Sequence, residues 1–274
     1  MIEKSIAIYT IIDDLLKKIG HKEPKNRKTS DAEIITTCLL SALYFSGNQE
    51  KGICFVKSTK LMENMLSKSR FNRRLHLIRN LIVDLFFQLA RMIKKLNISA
   101  EYIIDSFPVA TCDNIRISRS RLLQGKVYRG KKVSMRRYFY GFHVHVMVTS
   151  DGIPVEYTFL PGSFHDSSAL KQLPFDLPEN STIYADAGYT NYVIEDMLLE
   201  NDKINLLTAR KSNSKRKREP YSDYIIDTMR KRVETTFSEI SGLFPKKIHA
   251  VTDHGFVLKV ILFLFSFTLN KIEY

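Results

Sequence analysis

Tryptophan is absent from this chain of 274 residues, and its three cysteines are too few and too scattered to build a covalent or metal framework. Without tryptophan, any surface that stacks on a ring must use another residue, such as one of the 13 tyrosines. Cys38, Cys54 and Cys112 are odd in number, widely spaced and without a CxxC pair, which argues against a disulfide scaffold and a zinc site. Long apolar runs are missing too. The longest, residues 260–269, is far short of a membrane span, so no membrane partner is expected. The stretch MIEKSIAIYTIIDD carries an early Glu and two Asp and no small-residue cleavage site, unlike a signal peptide. Together these shortages lead to the expectation of a cytoplasmic protein.

Acidic residues are also in deficit: 29 Asp and Glu face 42 Lys and Arg, a formal net charge of +13. A surplus of that size marks a polyanion binder if it is clustered, and merely a soluble basic protein if it is not. A lipid-surface role fits poorly, because the basic residues do not gather on one amphipathic helix. Hydrophobic residues make up 44% of the chain, enough for one sizeable core or two modest domains.

What is present falls into two textures. Residues 2–20 place Ile8, Ile11, Ile12, Leu15, Leu16 and Ile19 on one helical face, and Gly20 supplies a stop. A polar linker, 21–29, precedes Ser30 and Glu33, a capping-box pair ahead of the apolar run 34–45. Helical patterning continues over 57–66 and 70–96, the latter opening on Arg70, Arg73 and Arg74. No strand pattern occurs before residue 100, so 1–97 is expected to be a small all-helical domain. From Glu101 the reading changes. Short strands are predicted at 101–105, 139–149, 154–160, 182–185 and 203–208, with a hairpin turn at Asp151-Gly152. Helices are predicted at 165–173, 192–200, 222–243 and 255–272, the last expected to pack on the sheet. The order β-β-β-α-β-α-β-α predicts an α/β, ribonuclease H-like domain over 98–274, a mixed sheet with helices on both faces. Two basic loops interrupt it: 113–137 carries nine Lys or Arg against one Asp, and 210–218 carries six. Such cations would neutralise phosphates.

Two aspartates break apolar runs at predicted strand ends, Asp105 after EYII and Asp186 after IYA. A charge there is costly unless it pairs or coordinates, and strand ends are where α/β sheets bind ligands. Carboxylates converging from separate elements suit a pair of divalent ions, Mg²⁺ or Mn²⁺, about 3.5–4 Å apart. A third carboxylate must come from elsewhere. On the helix 222–243, with its apolar face at Ile225, Met229, Val233 and Ile240, Glu234 and Glu239 border opposite sides. Periodicity leaves both open.

The motifs SDAEIITTCLLSALYFSGN (30–48), SRFNRRLH (69–76), IDSFPV (104–109), YGFHVHVMVTSDGIPVEYTFLPGSFHD (140–166), YADAGY (184–189) and RKRVETTFSEI (230–240) occur in one order along the chain. In that order the chain resembles the DDE-type transposases of bacterial insertion sequences, and in particular the insertion-sequence 982 family. The block holding Arg230, Glu234 and Phe237 is similar to the family's last acidic motif. The resemblance therefore implies Asp105, Asp186 and Glu234 as the catalytic, metal-holding triad.

The same resemblance implies that metal-activated water cuts at the element's ends and that the freed 3′-hydroxyl then attacks target DNA. His165 and Asp166 match a His-Asp motif and would orient the metal ligands or the scissile phosphate, or simply start a helix. Arg230 and its neighbour Arg232 would clamp a phosphate or pair with a nearby Glu. His143 and His145 alternate on one strand face and read as strand-face residues. The implied partner is double-stranded DNA, both terminal inverted repeats and target, bound by a homodimer associated with the nucleoid. Arg70, Arg73 and Arg74 would contact DNA from the helical domain. Arg129, Lys131, Lys132, Lys215, Arg216, Lys217 and Arg218 would do so from the basic loops. A metal-dependent nuclease of the same fold and a catalytically silent DNA-binding derivative stand as alternatives.

Overall fold

The capping box anticipated at Ser30 is formed: its side chain accepts from the Glu33 amide while Glu33 accepts from the Ser30 amide. In this computed structural model, which describes residues 1–132, 136–217 and 219–272 (the side chains of Lys132 and Val233 excepted), that box opens a central helix. The N-terminal helices are α1 (Ile2–Lys18), α2 (Asp31–Phe45), α3 (Gln49–Ser58), α4 (Lys68–Leu77) and α5 (Arg79–Leu96). Two predicted helices are corrected here. Residues 59–67 form turns instead of helix, with Lys60 in the left-handed region and the Met62 amide bonded back to the Val56 carbonyl. The single helix expected over 70–96 is two, broken at Ile78, where neither glycine nor proline signals a stop.

The chain forms two compact units, one of residues 1–89 with the segment from Gly242 onward, the other of Ala90–Ser241. The helical unit thus draws on both ends of the chain, and not on residues 1–97 alone. The last helix, α8 (Asp253–Lys271), expected to pack on the sheet, belongs to the helical unit and packs there on α2. Ser266 Oγ donates to the Leu39 carbonyl at 2.9 Å, and Phe265 meets Phe86 edge-on at 5.8 Å. Both α2 and α8 are apolar on nearly every side, and each gives the other the apolar cover a sheet would otherwise supply. By length and composition α8 could cross a membrane, but most of it is buried within the fold.

The second unit is built on a mixed six-stranded sheet. Its strands are β1 (Glu101–Asp113), β2 (Arg129–Lys132), β3 (Arg137–Thr149), β4 (Pro154–Pro161), β5 (Thr182–Ala185) and β6 (Asn205–Thr208). Strands run in the order β4-β3-β1-β5-β6, with β2 also on the β4 side of β3. β1, β5 and β6 are parallel, while β3 is antiparallel to β1, β2 and β4. β3 is buried almost continuously from Phe139 to Thr149, so both sheet faces are covered. The turn at Gly152 has φ +80° and lies against Thr236, where only glycine fits. β1 is far longer than the expected 101–105, because β3 continues alongside it to Asp113. Pro108 is tolerated there, since β5 has already ended and left that side of β1 open.

Helices α6 (Tyr192–Asp202) and α7 (Pro220–Leu243) complete the unit. The last turn of α5 is tied to β4 by a buried pair: Lys94 Nζ donates to Glu156 Oε1 at 2.6 Å and to the Asp176 carbonyl at 2.8 Å. Burial pushes the Glu156 carboxyl up and Lys94 opposes that push.

Candidate metal centre

Parallel pairing aligns Ile104 with Ala185, so the next residues, Asp105 and Asp186, stand side by side where β5 ends. Adjacent strands lie about 4.8 Å apart, and residues in register share a face. Asp105 is therefore mid-strand and not at the strand's close, but it sits at the point where the two strands part. Its Oδ1 accepts from the Ser106 amide at 2.8 Å. Burial pushes its carboxyl above the usual range; the Ser106 amide and Arg230 pull it back, while Asp186 and Asp166 push it further up.

Asp166 joins this group from the 3₁₀ helix Asp166–Lys171, accepting from Ser106 Oγ at 3.3 Å. Gly188, just after Asp186, makes room for it: a Cβ there would lie 2.7 Å from Asp166 Oδ2. Underneath, the buried Tyr189 hydroxyl meets His145 Nδ1 at 2.7 Å. Burial, with His143 alongside, lowers His145 to about 3, so it stays neutral. His143 and His145 are strand-face residues, as expected. Ser106, Tyr189 and Gly188 were not anticipated as parts of the site. All three lie inside the IDSFPV and YADAGY motifs, which named the aspartates but gave their neighbours no role.

From α7, Arg230 Nη1 reaches Asp186 Oδ1 at 3.4 Å. The helix buries Ile226, Met229, Thr236, Phe237 and Ile240, with Phe237 against Phe107 at 6.5 Å. The expected apolar face is thus shifted, since Ile225 is only partly buried. At about 100° per residue, Glu234 lies one turn beyond Arg230 on nearly the same stripe, and Glu239 lies half a turn around. Glu234 is exposed. Among the described residues, the metal-binding side chains whose ligand atoms all lie within 4.8 Å of one another are His21, Glu23 and Asp31, far off in sequence; Asp105, Asp186 and Glu234 are not drawn that close.

A family model described as a transposase DDE domain matches residues 95–251, more than half of the chain. The chain belongs to this family. No curated protein and no solved structure matches it. The matched span holds β1, β5 and α7, and hence every residue of the centre described above. A DDE transposase uses divalent metal and acts on DNA, and the donor set here fits that requirement. Three aspartates around one arginine leave negative charge unbalanced, and hard carboxylate oxygens suit Mg²⁺ or Mn²⁺.

The basic residues expected to meet the transposase's DNA are placed unequally. Arg70 and Arg73 are exposed on α4. Arg74 is paired: its guanidinium is held by Asp31 at 2.6 Å and Glu23 at 3.5 Å. Arg129 and Lys131 are exposed on β2, in a segment expected to be loop. Lys215 and Lys217 are exposed, whereas Arg216 forms a two-pronged pair with Asp196 at 2.6 and 2.8 Å and lies over the Tyr192 ring. The Lys132 side chain and Arg218 lie outside the described residues. His165 is exposed, and its carbonyl accepts from the Ser168 amide, which matches its helix-start reading.

Proposed function

We propose that this transposase cuts the ends of an insertion sequence of the 982 type and joins the freed 3′-hydroxyl to target DNA, using Asp105, Asp186 and Glu234 as metal ligands on a ribonuclease H-like fold. The observation that carries this reading is the register of β1 and β5, which sets Asp105 beside Asp186. The strand order, three antiparallel strands followed by two parallel ones, is what such a fold requires. Support for Glu234 over Glu239 comes from helix phase: Arg230 already reaches Asp186, Glu234 follows on its stripe, and Glu239 faces away. Two divalent ions held there would stabilise charge on the attacking and leaving oxygens.

The chain's own residues have separable tasks in this scheme. Asp105 and Asp186 hold the centre from the sheet and Glu234 closes it from α7. Asp166, bonded to Ser106, orients the group, and Arg230 steadies Asp186 and the phosphate beside it. Exposed cations on α4 and the 210–217 loop hold the duplex by its phosphates. Joining two ends calls for two copies on the DNA, so the active form is a homodimer. The test is cleavage of DNA carrying the element's ends in Mg²⁺ or Mn²⁺. Asp105→Asn and Asp186→Asn should each abolish cutting and spare binding; full activity in either variant rejects the assignment.

A further inference from the structure

Segment 113–137, expected as a basic loop, is largely built into the fold. A 3₁₀ helix, Asn114–Arg119, packs on β3 and β1, and β2 pairs with β3 in a two-stranded ribbon, Arg129 opposite Tyr140 and Lys131 opposite Tyr138. At its base the ribbon is anchored. Gly130 and Phe139 are buried, and a Cβ on Gly130 would lie 2.7 Å from the Gly162 carbonyl oxygen. One step outward the anchoring ends: Lys131 and Tyr138 are exposed on one face and Arg137 on the other.

Beyond Gly130 and Phe139 the described side chains of the ribbon are exposed and add little to the core, so packing does not explain why it extends that far. Its charge is equally unaccounted for. Every Lys and Arg between 116 and 137 whose side chain is described is exposed, and among the described residues none forms an ion pair with a carboxylate. One of them is nonetheless held in place, the Arg129 guanidinium lying 4.3 Å over the Tyr138 ring. A guanidinium fixed on a ring presents its fork of donors with less entropy to lose.

We propose that the β2–β3 ribbon enters the major groove of duplex DNA, with Arg129 and Lys131 directed at base edges and Arg137 at the flanking backbone. Two strands about 4.8 Å apart, with their side chains, match a groove about 12 Å wide and exceed one about 6 Å wide. Arginine aimed into the major groove pairs with guanine O6 and N7, the contact that carries sequence information. This inference rests on the transposase reading for its DNA partner but uses none of the carboxylates.

The experiment uses the full chain carrying Asp105→Asn, so that bound DNA stays uncut, on a mixed-sequence duplex and on the DNA flanking the gene. Binding is followed by fluorescence anisotropy and major-groove occupancy by protection of guanine N7 from dimethyl sulfate. Adding R129A and K131A should weaken binding about 30-fold or more, as two lost base contacts would, and erase the N7 protection at an unchanged melting temperature. Arg129→Lys, which keeps the charge and leaves Lys131 in place, should retain most affinity and lose only part of the protection. Weakened binding with N7 protection intact, or unchanged binding, overturns the proposal. Failure of the transposase reading itself would show elsewhere, as cleavage that survives Asp105→Asn.

Discussion

Asp31 in the helical unit and Asp105 in the sheet unit are both tucked inward beside another carboxylate, yet their surroundings differ in charge. Asp31, 1% exposed, meets His21 at 2.9 Å, Arg27 at 3.3 Å and Arg74 at 2.6 Å, and its amide donates to Glu23. Two arginines thus answer two carboxylates. Asp105 has Asp186 and Asp166 for neighbours and Arg230 for a counter-charge. Ligand atoms are closer together in the first group than in the second. Closeness alone would therefore pick out the His21 group as a metal centre, whereas our proposal rests on the Asp105 group. Unbalanced charge favours the Asp105 group, because an arginine already occupying the space between carboxylates removes both the room and the need for a cation.

The largest effect should separate the two glutamates of α7. Glu234→Gln should lower cleavage by more than the 10- to 100-fold typical of groups that merely support a metal ligand, while Glu239→Gln should leave it within about threefold. Equal losses would mean that helix phase relative to Arg230 does not decide the third ligand.

Next in size is the cost of unbalancing Asp31. Asp31→Ala leaves Arg74, 14% exposed, without its main partner, and removing one side of a buried pair costs about 3–5 kcal/mol. Chemical denaturation should show that loss without any change in the metal requirement for cutting. Manganese sharpens the contrast: it should raise the melting temperature of the native chain and of Asp31→Asn, but not of a chain carrying Asp105→Asn and Asp186→Asn together. The opposite pattern would make the His21 group the cation site and reverse the comparison.

How legible each group was follows from how local its causes are. The capping box at Ser30 and the strand-end Asp186 followed by Ala187-Gly188 lie within a few residues of sequence, and both were readable. The pairing of Arg74 was not legible because its partner, Asp31, is 43 residues away. β2 went unseen because Arg-Gly-Lys-Lys has no strand composition; it is a strand only because β3 runs outward and offers it an edge. Glu234 and Glu239 were indistinguishable by periodicity, since the contact on which our proposal of Glu234 rests, Arg230 to Asp186, joins a helix to a sheet. For α8, apolarity on every side announced burial but not the partner, which turned out to be α2.

The same accounting of partnered and unpartnered charge extends to the cations of the 210–217 loop, where the smallest effect is expected. Arg210 is bonded to the buried Glu195, and Arg216 to Asp196, with both guanidinium groups lying over Tyr192. Lys215 and Lys217 are exposed, with no such clamp among the described residues. Asp196→Ala releases Arg216 at a solvent-exposed pair, so thermal stability should not measurably change. DNA affinity at low salt should rise slightly, and the slope of binding against salt should steepen by at most about one phosphate contact. Lys217→Ala should act the other way, flattening that slope by a similar amount. If Asp196→Ala instead weakens binding, then the Asp196 clamp serves to hold the loop in its DNA-bound shape, and a paired arginine there contributes more by anchoring than a freed one gains by contact.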